Sequence, residues 1–176
     1  MAKIKLNNVR LSFPSLFTKA VFSGEETKYE ATFLLDKKEH ASLIKQIEGD
    51  IASAIKDKWQ GKVKALPADK LFMKDGDNFE YTGYAGNMAI KASSKSRPLC
   101  IDRDKSQLTQ DDGRFYAGCY VNGIIEIWVQ DNSYGKRVNA NLLGVQFYKD
   151  GEPFADGLKA NADDFDAFEN EVDDFV

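Results

Sequence analysis

The sequence predicts a mainly β domain, a small barrel carrying one inserted amphipathic α-helix. Three observations predict it. Several short stretches alternate apolar and polar residues with period two, the mark of half-buried strands. A single stretch, residues 37–60, repeats its apolar residues at helical spacing. The first strand pattern also changes phase at Asn7-Asn8, where one extra residue makes a β-bulge and bends the strand as a barrel requires.

Residues 3–13 form that first strand. Ile4 and Leu6 share one face, and after the slip Val9, Leu11 and Phe13 are expected to face inward, which leaves Lys3, Lys5 and Arg10 outward. Residues 14–28 read as a loop with exposed aromatics, and residues 29–35 as a second strand. The helix follows. Asp36 is placed to cap it and Glu39 to reach back to the cap. Leu43, Ile44, Ile47, Ile51, Ala54, Ile55 and Trp59 make one apolar stripe, read as packing surface, and Gly61 is a natural stop. Gly49 within the stripe costs about 1 kcal/mol against alanine, which a stripe of this length absorbs.

Residues 62–98 contain loops and short strands, with turn signals at Lys74-Asp75-Gly76-Asp77 and at 83–86. In 87–93 a strand is expected with Met88, Ile90 and Ala92 inward and Lys91 outward. Residues 92–98 are small, polar and basic, 99–101 form a short strand, and 102–113 an acidic loop. In the run FYAGCYVNGIIEIWVQ, residues 115–130, every odd position from Ala117 to Val129 is apolar or glycine, so this set is the core face. The even positions mix Tyr116, Tyr120 and Trp128 with polar groups. Residues 137–143 and 145–148 are the last strands, and Asp150-Gly151 is a turn pair.

Beyond Phe154 periodicity stops. Asp163, Asp164, Asp166, Glu169, Glu171, Asp173 and Asp174 follow with no base among them. The net charge of −4 is therefore an average: residues 1–162 hold 24 bases against 21 acids, a body of about +3. Such segregation marks an acidic tail on a domain that meets polyanions or partners. We expect a binding domain at 1–157 and a flexible acidic tail at 158–176. No apolar run is long enough for a membrane span, and no secretory leader is expected. Cys100 and Cys119 sit among apolar neighbours and are expected as small core residues.

Catalytic chemistry lacks its parts. His40 is the single histidine and has no evident nucleophile beside it. No phosphate-binding glycine motif or Cys-x-x-Cys pair occurs. The run Asp102-x-Asp104-x-Ser106 has Gln107 where a calcium loop needs glycine and Gly113 where it needs glutamate. A two-metal site from Asp102, Asp104 and Glu126 is the remaining alternative, but clustered loop carboxylates are far more often simply solvated. We expect no catalytic residue, metal or cofactor.

Binding chemistry has its parts. Single strands are held by cations that follow phosphates and by flat side chains on which bases stack. Tyr116, Tyr120 and Trp128 supply rings at strand spacing. Tyr134 with Arg137 lies in a nearby loop, and Lys91, Lys95 and Arg97 in another. These rings equally suit packing under the helix or at a dimer interface. The tail adds Phe165, Phe168 and Phe175 among its acids, an electrostatic likeness of a nucleic acid that also offers partners a peptide to grip.

The start NVRLSFPSLF, the junction RPLCID and the run FYAGCYVNGIIEIWVQ…GKRVNANLLGVQFYKDGEPF resemble a family of phage single-stranded DNA-binding proteins, over most of residues 7–157 and in the type of tail. The resemblance implies an OB-fold-like five-stranded β-barrel, sequence-independent single-stranded DNA binding in phage DNA replication or recombination, and no enzymatic activity. It also implies work in the cytoplasm of the infected bacterial host and a tail that recruits replication or recombination proteins. The tail residues expected to meet partners, Asp173, Asp174 and Phe175, are read from the sequence itself, which leaves self-association open. Phe175 here is penultimate, whereas similar tails end on their phenylalanine. The helix comes early, between the second and third strands, so a modified strand order is expected. The competing readings are a strand-annealing recombination mediator, and a protein-interaction module that binds no nucleic acid.

Overall fold

The computed structural model describes residues 3–154 and 165–167. The chain forms β1 (Lys3–Ser15), β2 (Val21–Phe22), β3 (Glu25–Glu26), β4 (Tyr29–Asp36), α1 (Ala41–Trp59), β5 (Met73–Asp75), β6 (Asn87–Ser94), β7 (Leu99–Ile101), β8 (Tyr120–Asn132) and β9 (Gly135–Lys149). The main sheet runs β5-β6-β4-β1-β8-β9-β7, and β6 also pairs with β9. That pairing closes β1, β4, β6, β9 and β8 into a five-stranded barrel and leaves β5 and β7 outside the ring. Numbered as barrel strands along the chain, the ring reads 1-2-3-5-4, a Greek-key barrel of the OB type. The early helix lies outside this ring, so the expected change of strand order is not found. Closure rests on one parallel register pair, Ser93 with Asn141.

The phase slip in β1 is a bulge. Its register to β8 shifts between Leu6 and Val9, and Asn8 takes a left-handed φ of 54° while its N–H donates to Asn122 Oδ1 at 2.8 Å. Leu6, Val9 and Leu11 are fully buried. Phe13 departs from the inward set expected of it. A second shift lies between Ser12 and Ser15, and Phe13 has a φ of 44°, which turns its ring outward to 44% exposure.

The helix begins at Ala41, four residues later than the cap signal at Asp36 suggests. Asp36 accepts from the N–H groups of Lys38 and Glu39 at 2.8 and 2.9 Å, so it caps the turn that precedes α1. These bonds hold its carboxyl below the usual carboxylate range. The stop is as expected: Gln60 and Gly61 both adopt left-handed backbone, with φ of 51° and 82°. Ile44, Ile47, Ile51, Ile55 and Trp59 form the buried stripe and join the barrel core.

In β8 the odd positions do face the core, with Val121, Ile125 and Ile127 at 1% exposure or less, and Cys119 just before the strand is fully buried too. Gly123 belongs there because a Cβ would overlap the Phe33 ring. The strand itself starts at Tyr120, since Gly118, with a φ of 111°, bends the chain before it. The two last strands of the sequence reading are one, β9, with a register shift that leaves Leu143 between the partners of Ile124 and Ile125. Cys100 and Cys119 are free and buried, and burial pushes both thiols up to about 11.

Candidate nucleic-acid interface

A groove of about 650 Å³ crosses the outside of the barrel. Its floor follows from strand alternation. Ala31 and Phe33 of β4 point inward, so Glu30 and Thr32 point out; Ile90 and Ala92 of β6 are buried, so Lys91 and Ser93 point out. Registers Thr32–Lys91 and Glu30–Ser93 set these four side by side. One wall is the β8–β9 hairpin. Trp128 lies opposite Asn139 and Gln130 opposite Arg137, and Asn139 donates to Gln130 Oε1 at 3.0 Å. Arg137 also donates to the Asp69 carbonyl at 3.4 Å. The tip end of this hairpin is tied to the helix through Trp59 Nε1, which donates to Asp131 Oδ2 at 2.8 Å.

The opposite wall is aromatic. Phe13 meets Tyr81 edge-on at 5.0 Å, Phe79 stacks on Tyr81 at 5.9 Å, and Tyr84 touches Tyr81 and Phe79 at 5.1 and 5.8 Å. Three of these rings belong to loop 76–86, which is pinned at its base. Lys37 Nζ donates to Asp75 at 2.7 Å and to Asp77 at 2.6 Å, while Asp77 accepts from the Gly86 N–H at 2.8 Å. These bonds raise the lysine pKa and lower both carboxyls. Higher up, Asn87 Nδ2 donates to the carbonyls of Gly83 and Ala85, and the Tyr84 hydroxyl pairs with Ser12 Oγ at 3.1 Å. Lys28, Lys74, Lys91 and Arg137 line the groove against one acid, Glu30, which pairs with Lys91 at 3.4 Å.

Rings on one side and cations along the floor and rim are the two components that hold a single strand. The position agrees too. In five-stranded Greek-key barrels of this kind, the face of the second and third strands and the loops after the first and fourth are the oligonucleotide surface. Here those strands are β4 and β6, and the loops are 16–28 and the β8–β9 turn.

Of the eight ring and cation positions expected from sequence, Trp128, Lys91 and Arg137 line the groove. Tyr134 stands at the tip of the β8–β9 hairpin, 84% exposed. Lys95 and Arg97 are exposed in the loop after β6, with Arg97 donating to the Phe17 carbonyl at 3.3 Å, and do not line the groove. Tyr116 and Tyr120 lie elsewhere. The Tyr116 hydroxyl is bonded to Asp150 and Gly151, where the chain leaves β9 without the expected turn, and the Tyr120 ring sits beneath Arg10 and Lys149. Asp173, Asp174 and Phe175 lie outside the described residues. The sequence reading missed Phe13, Phe79, Tyr81, Tyr84, Lys28 and Lys74. A usable signal existed in the ring density of Phe79-Glu80-Tyr81-Thr82-Gly83-Tyr84. Among the described residues no group of three potential ligands is arranged to hold a metal, and no helix is long and apolar enough to cross a membrane.

A family model described as "Enterobacter phage Enc34, ssDNA-binding protein" matches residues 2–176. Protein p50 of Acyrthosiphon pisum secondary endosymbiont phage 1 is 46% identical over 172 residues, covering 93% of this chain and 92% of its own. The solved single-stranded DNA-binding protein of bacteriophage Enc34 is 35% identical with a TM-score of 0.78, covering 93% of this chain and 90% of its own. The structure of that phage protein in complex with ssDNA is 36% identical with a TM-score of 0.78, covering 87% and 89%.

Proposed function

The chain belongs to the Enterobacter phage Enc34 ssDNA-binding protein family, and from that membership we propose that its groove holds single-stranded DNA without sequence preference. The observation that carries this reading is the arrangement of Trp128 and the Phe13–Phe79–Tyr81–Tyr84 wall around four cations in one groove. Stacking needs bases already free of a duplex, and a body charge of about +3 gives duplex DNA little to hold. The relative in complex with ssDNA supports the same use. On this reading the protein is not a catalyst. It coats strands exposed during phage DNA replication or recombination in the infected bacterium.

Intrinsic fluorescence tests the proposal directly. Trp59 is buried at the C-terminal end of the helix and Trp128 lines the groove, so oligo(dT) should quench the emission of Trp128 alone. The quench should vanish in Trp128→Phe and compete poorly with duplex DNA. Equal affinity for duplex and single strand would sink the stacking model.

We further propose that the acidic tail is an internal competitor for the groove and the handle for partner proteins. Seven acids and three phenylalanines on a tether stand at a high effective concentration over the domain, on the order of millimolar. Removing residues 163–176 should therefore tighten oligo(dT) binding at low salt, raise the affinity for duplex, and abolish partner recruitment. Titration of labelled oligo(dT) with full-length and shortened protein checks this; unchanged or weaker binding after removal means the tail does not occupy the groove.

A further inference from the structure

Residues 150–154 leave β9 and cross the barrel wall as a strap. Arg10 fastens it from below: Nη2 donates to the Glu152 carbonyl at 2.6 Å and Nε to the Gly118 carbonyl at 3.0 Å. Gly118 must be glycine, because a Cβ there would overlap the Glu152 oxygen. The Phe154 N–H then donates to the Ala117 carbonyl at 3.0 Å. The strap is thus fixed to the barrel by bonds that involve no part of loop 76–86.

From this fixed strap the Phe154 side chain reaches the loop. The Arg10 guanidinium lies over its ring at 4.4 Å. Its edge abuts Gly83, where a Cβ would overlap ring atoms, and it packs on a small cluster of Leu34, Tyr84 and Ala89 separate from the main core. Tyr84 is in turn the buried member of the groove's aromatic wall, in contact with Phe13, Phe79 and Tyr81. The loop is therefore held by the Lys37 clamp at its base, by the Asn87 and Ser12 bonds to residues 83–85, and by Phe154, which packs behind its rings.

We propose that Phe154 is a positioning residue for single-strand binding: outside the groove itself, it sets where Tyr84, and through it Phe79 and Tyr81, stand as a stacking wall. The inference rests on reading the groove as the DNA site. A base stack is sensitive to ring placement, so a wall without its rear support loses a stack while keeping every cation.

The experiment uses the full chain and pairs hydrogen exchange with oligo(dT) binding in Phe154→Ala, Phe154→Leu and, as a direct groove variant, Tyr81→Ala. Phe154→Ala is expected to raise exchange in residues 76–86 while the barrel strands keep theirs, and to weaken oligo(dT) binding about tenfold, the loss of one stack. The dependence of affinity on salt should stay unchanged, because no phosphate contact is lost. Phe154→Leu refills part of the space and should fall between. If Phe154→Ala fails to fold, Phe154→Leu is read alone: faster exchange confined to 76–86 with weaker binding supports the proposal, and unchanged exchange there overturns it. If Tyr81→Ala weakens binding and the Phe154 variants do not, the groove stands and the positioning role is wrong. If neither position affects affinity, the groove reading falls and the inference with it.

Discussion

Replacing Trp128 with alanine should weaken oligo(dT) binding by about 1–3 kcal/mol, roughly 5- to 150-fold, with little change in melting temperature. The ring is half-exposed on the outer face of β8, opposite Asn139, and the core beneath it is made by Ile127 and Val138. Its removal therefore opens no cavity. Tyr81, 52% exposed on the opposite wall, should behave alike, and both changes together should exceed either alone. Tyr116→Ala and Tyr120→Ala are the contrast. The first breaks the bonds that hold Asp150 and Gly151, and the second removes the ring under Arg10 and Lys149. Both should lower the melting temperature with a smaller effect on affinity. Fluorescence anisotropy of a labelled oligonucleotide, alongside thermal melts, reads all four; a Trp128 variant that binds normally makes that ring a bystander.

Salt should weaken binding steeply. If Lys28, Lys74, Lys91 and Arg137 each neutralise one phosphate, log affinity falls against log salt with a slope of about −3, or roughly 50-fold between about 50 and 200 mM. Arg137→Ala should flatten the slope by about 0.7, and Lys74→Ala likewise. Lys91 starts from a pair with Glu30, so part of its charge is already answered. Titrations of labelled oligo(dT) at four salt concentrations give the slopes. A slope near −1 in the wild type would mean that most of these cations never meet a phosphate.

The period-two pattern revealed the barrel strands, and the slip at Asn7-Asn8 revealed the bulge, because both follow from side-chain alternation within one strand. The same logic reached Trp128 and Lys91, whereas Arg137 follows from its place beside Tyr134, in a stretch that reads as loop and belongs to β9. It failed where geometry depends on distant residues. Phe13 keeps the parity of Leu11, yet its left-handed backbone turns it outward. Phe79, Tyr81 and Tyr84 lie in a segment with no period, and they become a wall through residues far away in sequence, Lys37 clamping the loop, Ser12 bonding Tyr84 and Phe154 packing behind it. Tyr116 and Tyr120 failed for another reason. Parity shows which side of a strand a residue takes, not what stands beside it. Tyr120 and Trp128 are separated by roughly 26 Å of extended chain, and the outer surface of β8 passes from the Arg10–Lys149 side at one end into the groove at the other.

The single register pair between Ser93 and Asn141 makes the join of β6 to β9 the seam of the barrel, with far less ladder than β8 shares with β9. The groove runs over this seam. Lys91 and Ser93 stand on one bank, Arg137 and Asn139 on the other. An oligonucleotide gripped from both banks is therefore a rivet as well as a cargo. Local opening in the empty protein begins where the barrel is least stitched, and a bound strand must be released before that opening can proceed. At a hundredfold excess over its dissociation constant such a ligand adds about 2.7 kcal/mol to the closed form. On the proposed reading, holding a strand and bracing the barrel are then one event, and the chain is sturdiest while its groove is filled.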